Sequence, residues 1–491
     1  MTKSVLSALV ISSLLISCSQ PNEQILDAQP PVPAGGEFSA KVKPILDRNC
    51  GGSSCHSGGS SGFAGGVDLT SYEGIFRGGI YGTVVAPGSA FMSSLVQSIN
   101  RSDTTLSPIS SVGMPAGRNP ISPAEVQVIL QWINNGALND DGRGPFPEPR
   151  PMGKVYFSSQ SVDLVGVIDI ETSRIIRYVS VGNALPLASP PQAPHNVQID
   201  DQGRYFYTTM ISTGMLKKYD VGSYQLVGEV SVGSSPAHVV ITQDGSKAYV
   251  TNFSNSLGQV TVVNTQTMTV TGTITAPPLM NKTHGARLSH DGRYLYVASN
   301  LGDLVHVIRT SDDQAIAHIP LAPGVPPIGS SKYKPYQIAV RDDDRFIYVT
   351  LTDSAMVSVI ERLDSTFSFF RLLPVGARPL QCEITRDQRF LYVCNQGSRS
   401  VTVIDAQANS VLTTILNVGP RPHGIDITED SRLVYVSCEN SGGTDPPHHP
   451  VVGSTAPGYL TIIDVNTQIV IRTIEVGGFA AGVSISPGKG N

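Results

Sequence analysis

Histidine is almost missing from the first 194 residues of this chain. His56 stands alone there, and Cys18, Cys50 and Cys55 are the only cysteines. A zinc site built on the Cys50/Cys55 pair needs two more Cys or His ligands close by, and this scarcity argues against one. Charge is scarce too: Lys, Arg, Asp and Glu make up 15% of the 491 residues, against about 25% in an average globular protein. The net charge of −5 supplies no basic surface for nucleic acid. Beyond residue 16 no apolar run is long enough to cross a bilayer as a helix. No nucleophile–base–acid triad, phosphate loop or paired-carboxylate signature stands out. The 48 glycines and 35 prolines instead suit a loop-rich, exported protein.

What is present begins at Asn49-Cys50-Gly51-Gly52-Ser53-Ser54-Cys55-His56. Two cysteines followed directly by histidine are what covalent haem attachment requires. The thiols add to the two vinyl groups, and the adjacent imidazole is held against the iron. The usual gap is two residues; here four small ones intervene, and glycine lets them loop out at little steric cost. A structural disulfide is the plain alternative. Phe38, Val42, Ile45 and Leu46 share one helical face and predict a helix running into the motif. Ser122-Pro123-Ala124-Glu125 is a capping box that opens a second helix through Asn135, with Gly136 placed to end it. No histidine lies between them, which leaves thioether sulfur for the sixth ligand. Met114, in the loop Val112–Ala116, is favoured. Met92, in the helical-looking stretch Pro87–Leu95, and an open position remain alternatives. His/Met ligation saturates the iron and suits electron transfer.

Phe38, Val42-Lys43-Pro44-Ile45-Leu46, Cys50, Cys55-His56, Ala86-Pro87-Gly88-Ser89, Met114-Pro115 and Trp132-Ile133-Asn134-Asn135-Gly136-Ala137 follow one another in an order that resembles the planctomycete-type cytochrome c domain. The resemblance spans residues 37–137. It implies one haem c on Cys50 and Cys55, with His56 as proximal and Met114 as distal ligand. The longer gap between the cysteines departs from the common pattern.

Lys3 and the apolar run Val5–Ile16 read as a signal segment over residues 1–18. Its end, Leu15-Ile16-Ser17-Cys18, resembles a bacterial lipobox and implies lipidation of Cys18. Residues 19–36, with four prolines and a glycine pair, then read as a flexible tether. The expected location is the outer membrane, as a lipoprotein facing the periplasm or the cell surface, with a redox protein as partner.

After a linker over residues 138–152 the chain repeats itself with a period of roughly 40–50 residues, the spacing of a propeller. Copies open at Pro194, Pro236, Thr283, Pro335, Pro379 and Pro422, and a tyrosine recurs as Tyr207, Tyr249, Tyr296, Tyr348, Tyr392 and Tyr435. Residues 155–181 supply three strands without a first, and residues 482–487 supply a first strand without the rest. Joined, they close a seventh blade and remove the exposed edges. Asp244-Gly245 and Tyr249-Val250-Thr251-Asn252 resemble the YVTN-type seven-bladed propeller family over residues 153–487. The expected fold class is therefore multidomain: a small all-α cytochrome c domain followed by an all-β seven-bladed propeller. Cys382, Cys394 and Cys438 remain over, and Cys382 occupies a small-hydrophobe position.

Aligned on the Asp-Gly turn, His195, His284 and His423 fall at one position of the innermost strand, where the siblings are Ala237, Tyr336, Leu380 and Ala481; His238 lies one place along. Three imidazoles around one mouth can hold a metal such as copper, a haem or an anion. They can equally serve as packing groups bonded to a neighbouring backbone. His448 and His449, on the enlarged loop Glu439–Gly458, could cap the same mouth. The layout is similar to haem-d-containing nitrite reductases, whose propellers have eight blades and whose cofactor residues find no match here. Two readings follow: an electron-transfer protein whose haem serves a substrate or cofactor at the mouth, or a simple electron carrier localised by a binding scaffold.

Overall fold

The computed structural model describes residues 37–51, 55–57, 65–80, 82–101, 113–146, 152–183, 190–254, 258–276, 279–324, 332–447 and 456–487. Cys18, the tether and the His448-His449 pair lie outside them.

The N-terminal part is a small helical unit. A wide-turned helix, Phe38–Val42, continues directly into Lys43–Cys50. Short helices follow at Tyr72–Arg77 and Ser94–Ile99, and the longest is Pro123–Asn134. The expected capping box is present: Ser122 accepts from the Glu125 backbone while Glu125 reaches back to the Ser122 N–H. Phe38, Tyr72 and Phe76 gather around the buried Trp132. Trp132 Nε1 donates to the Leu138 carbonyl at 2.8 Å, which satisfies its one donor inside the core. The Pro87–Leu95 stretch is not the expected helix. Ser93 Oγ accepts from Ala86 N and donates to Ser89 O, both at 2.9 Å, and this local bonding holds a turn until the helix starts at Ser94.

Seven four-stranded antiparallel sheets follow in a ring. Their innermost strands are Pro194–Ile199, Pro236–Ile241, Thr283–Leu288, Pro335–Val340, Pro379–Ile384, Pro422–Ile427 and Ala480–Ile485, here blades 1 to 7. Blade 7 is the expected composite: Val155, Tyr156 and Phe157 pair with Ile485, Ser484 and Val483. The recurring tyrosine is buried in all blades, with Tyr156 as the seventh copy. Several of these hydroxyls reach the outer turn of the next blade: Tyr249 to Asp313 at 2.6 Å, Tyr348 to Asn409 at 2.5 Å and Tyr392 to Gln468 at 3.0 Å. The three partners all have left-handed backbones, with φ of 57°, 51° and 57°.

The hydroxyl two residues after the tyrosine ties blades together at the channel. Thr209, Thr350 and Ser158 donate to the carbonyls of Ala237, Leu380 and His195 at 2.8, 2.6 and 3.0 Å, each on the next blade's inner strand. Thr251 and Ser437 do the same to His284 and Ala481. Each also accepts an N–H of its own inner strand: Asn196, His238, Gln337, Gly424 and Gly482. One hydroxyl thus satisfies two backbone groups that the blade's own ladder leaves unpaired.

Ala86, Phe91 and Met92 of the helical unit pack into the core shared by blades 6 and 7, and Gly82 lies against Ile474. Phe146 packs against the helical core and against the core shared by blades 7 and 1. At Gly424 an added Cβ would strike the Ala481 carbonyl of blade 7. Gly424→Ala is therefore expected to lower stability by about 1–3 kcal/mol, read as a drop in the propeller's melting temperature. Gly272→Ala, whose nearest contact is 4.0 Å, serves as the comparison.

Candidate cofactor site and histidine ring

Cys50 is the last residue of its helix, and Gly51 caps it by bonding to the Leu46 and Asp47 carbonyls. A Cβ at Gly51 would sit 2.9 Å from Asp47 O, so the closeness of this turn needs glycine. The chain then returns: His56 N donates to Cys50 O at 3.1 Å, and Leu69 N to His56 O at 2.9 Å. The cysteines are thiols rather than a disulfide. Burial, and then the neighbouring Cys55, push the Cys50 thiol up to about 11. Burial lowers the His56 pKa, with the Val67 backbone opposing it. Its Nδ1 is buried with no hydrogen-bond partner. Two thiols at a helix end with an imidazole directly after the second are the donor set a covalently bound haem requires, and the residues fit that group.

Met114 packs against the same helical core, and Met92 packs against the propeller instead. The Met114 loop is held on both sides. Met114 N donates to Ser98 O at 2.9 Å, and Arg101 bonds the carbonyls of Gly113 and Pro115.

The second constellation lies in the channel. Every inner strand from blade 1 to blade 6 slips register just after its first residue, as in Pro194↔Met210 followed by Val197↔Thr208. The slip is a bulge, and it suspends the alternation that sends neighbouring side chains to opposite faces. His195 and His284 stand at the second position, as the alignment expects. His238, at the third, joins them: its ring centre is 6.0 Å from that of His195 and 4.8 Å from that of His284. The coordinating atoms of His195, His238 and His284 all lie within 4.8 Å of one another. His423 also reaches the cluster, 5.3 Å from His195 ring to ring. Its Nδ1, however, is bonded to Glu439 Oε1 at 2.8 Å, and its Nε2 lies 3.3 Å from the Tyr336 hydroxyl. The converging triad is therefore His195–His238–His284, with His423 as its neighbour. In the sequence alignment His238 lies one place off the shared position, and the bulge is what brings it in.

Burial is the main cause holding the imidazoles neutral. It lowers His195 and His284 well below their usual pKa and His238 to about 3, with the other histidines adding to the effect. Glu439 is a buried anion that spacing did not single out. Burial pushes its pKa up, but the His423 hydrogen bond and the Arg421 guanidinium bring it down to about 2. Cys382, Cys394 and Cys438 are buried thiols.

The planctomycete cytochrome C family profile matches residues 53–107, a span that holds Cys55 and His56. The family described as "Lactonase, 7-bladed beta-propeller" matches residues 188–369. A planctomycete-type cytochrome c domain precedes a seven-bladed propeller. Among curated proteins none matches the sequence. A solved structure of a functionally unknown protein from Desulfotomaculum acetoxidans shares 14% identity at a TM-score of 0.53, covering 68% of this chain and 99% of its own. Kuenenia stuttgartiensis hydrazine synthase follows at 17% and 0.48, covering 60% and 90%. Dihydro-heme d1 dehydrogenase NirN in complex with DHE stands at 14% and 0.47, covering 80% and 93%. The first of these supports the fold alone.

The depressed Glu439 pKa carries a signed pH dependence. Relative to the ordinary 4.5, a folded value near 2 stabilises the protein fully above pH 4.5, by on the order of 3 kcal/mol. This contribution is lost as pH falls toward 2. Glu439→Gln is expected to melt lower at pH 7 and to show a flatter acid limb between pH 4.5 and 2. Parallel acid limbs for mutant and wild type would contradict the assignment.

Proposed function

We propose that the chain is an exported c-type cytochrome that transfers electrons. In this reading one haem c is joined to Cys50 and Cys55, with His56 and Met114 on its iron. The observation that carries it is the Cys50–Cys55–His56 arrangement: paired thiols at a helix end, the chain folded back by the His56 N to Cys50 O bond, and a buried ring nitrogen without a partner. Bound haem supplies one-electron exchange at an iron whose six positions are filled.

The chain's own residues do the rest. Cys50 and Cys55 fix the group's position, and burial keeps His56 neutral and able to ligate. Arg101 and the Ser98 carbonyl hold the Met114 loop in one place. The packing of Met92 against the propeller favours Met114 as the distal ligand. Phe38, Trp132 and Ile129 close an apolar core that keeps water out, which favours a high potential. Covalent haem attachment takes place outside the cytoplasm, in keeping with export. A lipidated Cys18 would then hold the protein at the outer membrane, where a redox partner protein would meet it. Among the described residues no helix is long and apolar enough to cross a membrane.

Cys50→Ala combined with Cys55→Ala is expected to abolish covalent haem, read by peroxidase staining of the denatured chain, while the β-rich circular dichroism of the propeller persists. Staining that survives in the double variant would overturn the assignment. Met114→Ala should lose the near-infrared band of sulfur-to-iron ligation and shift the reduction potential downward. Persistence of that band would place the ligand elsewhere.

A further inference from the structure

We infer that the propeller channel holds a second metal site, in which Nε2 of His195, His238 and His284 bind one late first-row transition ion, with copper(II) preferred. The haem site has no part in this inference.

Distance is the first support. His195 Nε2 and His284 Nε2 are 3.4 Å apart. Two nitrogens at about 2.0–2.1 Å from one ion stand about 2.8–3.6 Å apart as the angle between them opens from about 90° to 120°, so this pair already has the spacing of two ligands. The second support is an unsatisfied atom. His238 Nε2 is buried and makes no hydrogen bond, a cost of about 1–3 kcal/mol if nothing fills the position. The fold does not demand histidine at either position: the equivalents of His195 and His284 in blades 2, 5 and 7 are Ala237, Leu380 and Ala481, and those of His238 in blades 1, 4 and 5 are Asn196, Gln337 and Gln381.

The tautomers are arranged from behind. His284 Nδ1 donates to the Tyr336 carbonyl at 3.1 Å, which leaves Nε2 with its lone pair toward the cluster. That carbonyl is available because blade 3 departs from the repeat. Where five of the other blades supply Ser or Thr to bond the next ring carbonyl, blade 3 has Ala298. His195 Nδ1 accepts from the Gln160 amide nitrogen at 2.8 Å, which puts the ring proton on Nε2, 3.4 Å from the bare Nε2 of His284; a metal entering between them takes the place of that one proton. Around them, the Tyr336 ring stacks on His284 at 3.6 Å, and Phe253 stands edge-on at 4.9 Å. Neutral imidazole donors favour Cu, Zn, Ni and Fe over Mg, Ca and Mn, and copper(II) heads the affinity order for nitrogen ligands.

The test uses the full chain matured with its haem, treated with chelator and then titrated separately with copper(II) and zinc(II). Metal is counted by elemental analysis and haem by its reduced pyridine spectrum. One copper per chain beyond the haem iron is expected, with nitrogen hyperfine structure in its electron paramagnetic resonance spectrum. His238→Ala and His284→Gln should each weaken copper at least tenfold, and the exposed His290→Ala should not. Ala298→Ser keeps all three imidazoles but offers Tyr336 a competing donor, and it should weaken copper about 10–100-fold. A folded chain that takes up no stoichiometric ion, or copper binding indifferent to His238 and His284, overturns the site. Zinc bound as tightly as copper overturns the choice of metal. Haem is counted independently, so a chain lacking covalent haem would refute the cytochrome assignment and leave this one standing.

Discussion

Everything at the channel depends on one hydroxyl, that of the Thr or Ser two residues beyond the buried tyrosine. A bulged inner strand leaves an N–H and a carbonyl without ladder partners, and a buried polar group without a partner is costly. Thr209, Thr251, Thr350, Ser437 and Ser158 resolve this across the blade boundary, accepting from their own blade and donating to the next. The ring is thereby a cyclic chain of hydrogen bonds as well as a packed core. The side chains at bulged positions are held to a fixed direction by the same bonds.

The exceptions to that pattern coincide with the polar cluster. Blade 3 has Ala298, and the carbonyl it leaves is taken up by His284. Blade 5 has Cys394, whose thiol contacts the Gly424 carbonyl at 3.7 Å, a weak substitute for a hydroxyl. Beyond it the buried charge of Glu439 is held by Gln396, Arg421, Ser441 and His423. Half the channel mouth is thus neutral imidazole and half is a compensated anion, a contrast a structural repeat alone does not need.

The repeat register, the composite blade and the capping box were legible in the sequence because each rests on short-range chemistry: a tyrosine every blade, an Asp-Gly turn, a Ser-x-x-Glu signature. His238 was not. Its direction depends on a bulge, and a bulge reflects pairing with a strand a dozen residues away. Glu439 looked like the edge of a decorated loop, because nothing local reveals that Arg421 and His423 will face it. The Met92 segment read as helical from its composition, yet Ser93 spends its hydroxyl on the backbone and delays the helix. Met92 is thereby left on a turn that faces the propeller.

The place where the helical unit sits also sets an order of events. Ala86, Phe91 and Met92 join the core shared by blades 6 and 7, and Ile474, which Gly82 faces, lies on the next-to-last strand. During synthesis the helical unit emerges first, and that strand emerges near the end. The unit therefore meets its seat only after most of the ring has been made.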